Sequence, residues 1–484
     1  MNKNFRLRYA PSPTGYLHIG NARTALMNYL FAHHYEGSFI IRIEDTDLER
    51  NVKGAIDSQF NNLKWLGIIP DESIFNETPK EYGEYIQSKK FNHYLEIAKI
   101  LVNDKKAFYC FCTQAELEIE KNRQVNNGII ATKYSGKCKL LSQEQIDKNL
   151  KNNLPYSIRF LVDSDKTYKI NDLVRKDVEF SSNEIGDFVI IKTNGIATYN
   201  FAVVIDDHDM QITHVVRGEE HMSNTPRQLM IFEALNWNIP IFCHLTLIVD
   251  SNKKKLSKRS DNSLFFIEQY KEQGYIPEAV FNYISLLGWS PKNEQEIFSE
   301  EEFIRIFDER QFSRSPSTFD MNKMKWFNSV YMKKMSSDDY LFFIKEFIDS
   351  NRFKISNKNN EWLDDVLLLF KNEIEFGLQI NDHLDLFFNE RDYTDKLKSE
   401  LLKLNDYKKL IEIFKIKLNE LTEFTEDKLK TIIKETGQLT NTKGKELFMP
   451  IRIATTLMTH GPEIAKTILL IGKEKIIANI EKVI

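Results

Sequence analysis

The chain has 484 residues, 42% hydrophobic and 28% charged, with a net charge of −4 (66 Lys and Arg against 70 Asp and Glu). This favours two to four domains and excludes an indiscriminate nucleic-acid binder, which would be strongly basic. No apolar run reaches membrane-spanning length, Met1-Asn2-Lys3-Asn4 leads straight into the first strand without a signal peptide, and Cys110, Cys112, Cys138 and Cys243 are too few for a disulfide framework, so a reduced, cytoplasmic setting is expected.

Residues 5–9 read as a strand. Pro11 and Pro13 then forbid regular structure until the turn His18-Ile19-Gly20, after which Ala22, Ala25, Leu26, Tyr29 and Leu30 fall on one side of a helix over 21–35. Strand, turn and helix open a nucleotide-binding α/β domain. The helix N-terminus offers N–H groups and positive dipole to phosphate, His18 adds a donor, and Gly20 lets the backbone approach closely. A strand over 38–43 and a helix over 54–66 follow, and this βαβ order predicts a parallel sheet with right-handed crossovers. The same pattern resumes with strands over 188–192, 212–217 and 242–249 and a helix over 225–235. The two halves are split by an insertion of roughly 100 residues, long enough to have its own job. Its content reads as a helix over 89–103, strands over 108–112 and 158–162, and polar loops. Helices over 265–273 and 277–287 lead to the break Gly288-Trp289-Ser290-Pro291. From about Phe327 onward the periodicity is helical only, as in Leu410, Ile411, Phe414 and Leu418, a core-facing stripe without heptads.

Three clusters could carry chemistry. Lys253-Lys254-Lys255-Leu256-Ser257-Lys258-Arg259 follows the third of these strands through the turn Asp250-Ser251-Asn252; five cations in seven residues repel one another unless they meet an anion. Alone, His18 reads as a solvent-facing turn residue and the lysines as a solvated loop, but together they point to phosphate handling. Arg42-Ile43-Glu44-Asp45-Thr46-Asp47 brings three acids into four residues, which suits helix capping or a hard cation. Cys110 and Cys112, two apart on a strand, share a face; with Cys138 and one further ligand they suit tetrahedral zinc, or else they are small buried hydrophobes. Trp326 among lysines could stack on RNA, or be a half-buried side chain between solvated neighbours.

His18-Ile19-Gly20-Asn21 and Lys255-Leu256-Ser257-Lys258-Arg259 resemble the two signatures of class I aminoacyl-tRNA synthetases, with Asn21 where the family has His and Leu256 where it has Met. Arg8-Tyr9-Ala10-Pro11-Ser12-Pro13-Thr14-Gly15, the acidic stretch 42–47, the stretch 199–208 and Val216-Arg217-Gly218-Glu219-Glu220-His221 narrow the resemblance to the bacterial glutamyl-tRNA synthetases, over essentially the whole chain and in the family's order.

The resemblance implies an α/β fold: a class I Rossmann-like nucleotide-binding domain split by a mixed α+β insertion, then a helical stem-contact region and an all-α C-terminal anticodon-binding domain. The halves of the catalytic domain would be 1–88 and 187–262, the tRNA acceptor-binding insertion 89–186, the stem-contact region 263–326 and the anticodon-binding domain 327–484. It implies ATP-dependent ligation of L-glutamate to tRNA(Glu) through a glutamyl-adenylate, with transfer to the 2′-hydroxyl of the terminal adenosine, by a monomer using Mg2+ with ATP. A non-discriminating form would also load tRNA(Gln). ATP falls to His18, Gly20, Asn21, Lys255, Ser257, Lys258 and Arg259, with His18, Lys255 and Lys258 as the catalytic charges. Glutamate falls to Arg8, Ala10, Ser12, Glu44, Tyr199 and Arg217: Arg8 and Tyr199 at the side-chain carboxylate, Ser12 and Glu44 at the amino group. Some members bind zinc through a set spelled like Cys110, Cys112, Tyr134 and Cys138; others use a His where this chain has Leu140. Telling glutamate from glutamine requires a charged donor at the side-chain end, and Arg8 and Arg217 sit at or near strand ends, where side chains enter the ligand crevice of such a sheet. A non-catalytic tRNA-binding relative tends to lose the signature residues, of which His18, Gly20, Lys255 and Lys258 remain here.

Overall fold

The computed structural model describes residues 5–76, 82–256, 264–355 and 359–484. The chain divides into two compact units, one of residues 1–269 with 280–321 and one of residues 270–279 with 322–484.

Up to Val249 the α-helices and strands of the first unit are, in chain order, β1 (Arg6–Tyr9), α1 (Ile19–His34), β2 (Ser38–Ile41), α2 (Ala55–Trp65), α3 (Phe91–Asn103), β3 (Ala107–Cys110), α4 (Gln114–Asn126), α5 (Gln143–Lys151), β4 (Ser157–Phe160), β5 (Thr167–Asp172), β6 (Lys176–Ser181), β7 (Phe188–Ile191), α6 (Tyr199–Asp209), β8 (His214–Gly218), α7 (Thr225–Ala234), β9 (Ile241–Leu245) and β10 (Ile248–Val249). The predicted parallel sheet has the order β2-β1-β8-β9. Its registers are Arg8↔Ile40, Leu7↔His214 and Val216↔Cys243. β1 is buried along its whole length, as expected of a central parallel strand covered on both faces. Carrying these registers forward sets Arg42 and Arg217 on either side of Ala10. With the two-residue alternation of a strand, Arg8, Arg42 and Arg217 then share one sheet face, and α6 packs on that face through Asp207.

The strand read as resuming this sheet at 188–192 does not join it. β7 pairs antiparallel with β4 (Ile158↔Ile191), in a separate sheet of order β3-β4-β7. A four-residue apolar run carries no information about its partner, and the Asn194-Gly195 turn passes the chain directly to α6. The stretches read as polar loops in the insertion hold α4, α5 and the β5–β6 hairpin. Both helices have complete capping boxes, Thr113 with Glu116 and Ser142 with Gln145, a spacing visible in the sequence. In β5 the burial alternates, so that Tyr168, Ile170 and Asp172 face inward.

Every helix of the second unit packs by an apolar stripe. Leu410, Ile411, Phe414 and Leu418 meet Leu429, Ile432 and Ile433, with Ile476, Ile480 and Val483 closing the same core, as the helical spacing predicts. Trp326 is 45% exposed. Among the described residues no helix is long and apolar enough to cross a membrane.

Candidate active site

His18-Ile19-Gly20-Asn21 opens α1, and the chain that follows the lysine loop returns to the same place. Ile19 N–H donates to Phe265 O and Ile267 N–H to Leu17 O, both at 3.0 Å, and the His18 ring stacks on Phe265 at 5.2 Å. The segment leaving the lysine loop is thereby fixed against the helix start. The segment entering the loop is fixed by Leu256, which is buried and donates its N–H to Ile248 O, while Lys255 is exposed. Ser257, Lys258 and Arg259 lie outside the described residues.

His18 is the N-cap of α1, and its Nδ1 accepts from Asn21 N–H at 3.3 Å. The expected donor role is thus confined to the other ring nitrogen, because a neutral imidazole that accepts at Nδ1 carries its proton on Nε2. A Cβ on Gly20 would sit 3.0 Å from His18 Cε1 and 3.1 Å from Nδ1. A side chain here would press on the imidazole, which would have to give by a few tenths of an ångström.

Arg8 and Glu44, expected at the substrate, also belong to an internal ion-pair network. Arg8 Nε and Nη2 donate to the two oxygens of Asp207 (3.0 and 3.2 Å), and Arg42 Nη1 donates to Asp207 Oδ1 at 2.7 Å. Arg42 Nη2 donates to Glu44 Oε1 at 2.9 Å, and Lys90 Nζ donates to Asp206 Oδ1 at 2.6 Å. Arg42, Asp206 and Asp207 were missed as site residues, although each stands inside a stretch that carries the family resemblance. Burial pushes the Asp207 carboxyl up, but Arg8 and Arg42 outweigh it and hold it below its ordinary value. Burial wins at Glu44, whose pKa is raised despite Arg42.

Arg217 differs from these. Its Nε donates to His244 Nε2 at 3.1 Å and its Nη2 to Thr225 Oγ1 at 2.8 Å, both neutral partners. Its Nη1 is buried with no hydrogen-bond partner among the described residues, and burial lowers its pKa. A guanidinium that has lost water and gained no anion invites a carboxylate ligand. Tyr199 Oη lies 3.3 Å from His221 Nδ1, and burial and Glu44 raise its pKa. Ala10 is half-buried and Ser12 exposed, on a loop held by Gln59 Nε2 donating to Gly15 O at 2.8 Å. Asp45 caps a remote turn, its Oδ1 accepting from Ser88 N–H at 2.8 Å, while Asp47 is exposed and makes no side-chain cap.

The Sγ atoms of Cys110, Cys112 and Cys138 lie within 4.8 Å of one another; among the described residues these form the one His/Cys/Asp/Glu group placed to hold a metal ion. Cys112 Sγ is 3.5 Å from Cys138 Sγ, and Tyr134 Oη is 3.5 Å from the sulfurs of both Cys110 and Cys112. A tetrahedral ion with Zn–S of about 2.3 Å and Zn–O of about 2.0 Å sets S···S near ~3.8 Å and S···O near ~3.5 Å, so the donor set fits zinc. Burial pushes the Cys110 thiol up, but Tyr134, the Cys112 backbone and Arg159 outweigh it and hold it below its ordinary value.

The parallel sheet, with His18-Ile19-Gly20-Asn21 at the start of α1 and Phe265 returning to it, accords with a class I synthetase core. Residues 4–326 match the family of class I tRNA synthetases (E and Q), catalytic domain, and residues 338–484 match the anticodon binding domain. The chain belongs to this E and Q family of class I tRNA synthetases. It is 62% identical over 477 residues to the glutamate–tRNA ligase of Mycoplasma capricolum, covering 99% of each chain. It is 48% identical over 486 residues to that of Geobacillus stearothermophilus, covering 100% of this chain and 99% of the other. The crystal structure of a glutamate tRNA ligase from Elizabethkingia meningosepticum in complex with its amino acid matches with a TM-score of 0.88 at 32% identity, over 99% of both chains.

Proposed function

We propose that the chain ligates L-glutamate to tRNA(Glu), using Mg2+ with ATP and passing through a glutamyl-adenylate. The observation that carries the choice of amino acid is Arg217, a buried cation with an unpartnered Nη1 on the same sheet face as Arg8. Glutamine would present an amide in place of an anion, and a buried guanidinium left without its carboxylate penalises that exchange.

Activation needs no protein nucleophile, because the glutamate carboxylate attacks the α-phosphorus of ATP and pyrophosphate leaves. Catalysis is then positioning and charge neutralisation. In this reading His18, Gly20 and Asn21 receive the nucleotide at the start of α1, and Lys255, Ser257, Lys258 and Arg259 neutralise its phosphates. Arg8, Tyr199 and Arg217 meet carboxylate, Ser12 and Glu44 hold the amino group, and Ala10 lines the glutamate site. Asp207 keeps Arg8 and Arg42 in place, so the pocket cations are set before substrate arrives. Cys110, Cys112, Tyr134 and Cys138 would hold zinc, which would pin β3 to the turn at 134–138 and serve a structural role.

The test is charging of purified tRNA(Glu) and tRNA(Gln), side by side, with labelled glutamate and Mg·ATP. Charging of tRNA(Glu) alone is the expected result. Charging of both would make the enzyme non-discriminating, and charging of neither would overturn the proposal.

A further inference from the structure

Arg217 is aimed by a chain of buried contacts that begins in the insertion. Arg Nε–H can only donate, so His244 Nε2, 3.1 Å away, must accept. The ring proton then lies on Nδ1, where Asp172 Oδ2 waits at 2.7 Å. His244 and Asp172 are both 0% exposed. Asp172 is itself fixed: Oδ1 accepts from the N–H groups of Val174 (2.9 Å) and Arg175 (2.8 Å), and Oδ2 from His244 N–H at 3.1 Å. Burial pushes the Asp172 carboxyl up, but His244 and the Arg175 N–H outweigh it, so it is an anion at neutral pH. The turn that carries Asp172 is locked to the parallel sheet. Leu173 N–H donates to Phe242 O at 3.0 Å, Arg175 pairs with Glu219, and Glu219 Oε1 accepts from Leu247 N–H at 3.0 Å.

We infer that His244 is a positioning residue for Arg217: Asp172 fixes its tautomer, its Nε2 holds Arg217 Nε, and Nη1 is thereby aimed at the substrate carboxylate. The tip of the β5–β6 hairpin thus sets the geometry of the amino-acid pocket without touching the amino acid. An uncharged acceptor suits this task, since a carboxylate in place of His244 would neutralise the cation that the substrate must meet. The inference rests on the assignment of Arg217 to glutamate.

Three variants separate the two ideas in steady-state activation assays. Arg217→Lys removes the fork, and a raised KM for glutamate is expected. His244→Asn keeps a donor near Asp172 and loses the acceptor for Arg217. It should raise the glutamate KM roughly ten- to hundredfold, the scale of a lost bond to a charged group, with the ATP KM and melting temperature near wild type. His244→Gln, which restores an acceptor near the Nε2 position, should recover most of that loss. If Arg217→Lys raises the glutamate KM and His244→Asn does not, the positioning role is wrong. If Arg217→Lys leaves it unchanged, the Arg217 assignment falls, and the inference with it. The side-chain 15N shifts of His244 in the intact wild-type chain give a test independent of variant folding. Protonation at Nδ1 supports the relay, and protonation at Nε2 overturns it.

Discussion

A guanidinium sealed from water is stable only where acceptors meet it, and the buried arginines of this site divide a small set of acceptors among them. Arg42 is fully buried, and although burial favours its neutral form, Asp207, Asp206 and Glu44 together raise its pKa. Asp207 serves both Arg8 and Arg42. Asp207→Asn would leave two buried cations facing an amide, and a loss of about 3–5 kcal/mol in urea unfolding is expected. A loss under ~1 kcal/mol would mean that another group replaces the charge. His214 gives a pH dependence. It stacks on Phe5 at 4.8 Å, and burial, opposed by Glu309, brings its pKa down to about 4. The unfolded chain takes up this proton below about pH 6.5 while the folded chain does not. This contribution is therefore complete above pH 6.5 and is lost as the pH falls towards 4, by up to ~3 kcal/mol. Urea titrations at pH 7 and pH 5 should show the decline, and His214→Gln should lessen it, with His221 and the other histidines that burial lowers supplying the remainder. Equal slopes in wild type and variant would contradict the assignment.

At the scale of elements, the start of α1 shows how a helix terminus becomes a site. The His18 cap takes one of its N–H groups, and Gly20 leaves room for the cap. Gly20→Ala presses on the imidazole by a few tenths of an ångström, and an ångström of misplacement in a reacting geometry can cost about a hundredfold, so a smaller shift costs less. The expected outcome is a fall in activation rate of roughly tenfold or more, with the folded state intact by circular dichroism; an unchanged rate would remove His18 from the nucleotide site. In the insertion, β3 and the turn at 134–138 are joined by three sulfurs and a phenol. Protein purified without chelator should contain about one zinc per chain by metal analysis, and Cys138→Ser should abolish it. Less than a tenth of an equivalent in wild type would leave the cysteines as core residues. The helical pattern was readable wherever an apolar stripe recurred, and two capping boxes were there to be read. The partner of β7 was not, because its Phe188-Val189-Ile190-Ile191 run packs in a parallel or an antiparallel sheet with equal ease.

At the scale of the molecule, each unit has its own core: Phe201, Val204 and Ile231 lie in the first, and Phe414, Ile451 and Ile480 in the second. Chains built in this way depart from two-state unfolding. Denaturation followed by tryptophan fluorescence and by far-ultraviolet circular dichroism should give transitions that do not coincide. Superimposable curves would show that the units unfold as one. The reach of the chain also matters here. Phe265 and Ile267, far along the chain from His18, return to the start of α1.

The sequence by itself determined the parallel βαβ order, the helical second unit, the two signatures and the spacing of Cys110, Cys112 and Cys138. Each is written in local periodicity or in a short motif, and local backbone physics reads both. Only the tertiary structure decided which charge meets which. Arg8 and Asp207 are 199 residues apart and Asp172 and His244 are 72 apart. Nothing in the spacing of such residues sets their contact. It follows from the packing of α6 and the β5–β6 hairpin against the sheet, which removes water and leaves each buried charge only the partners that the fold brings to it.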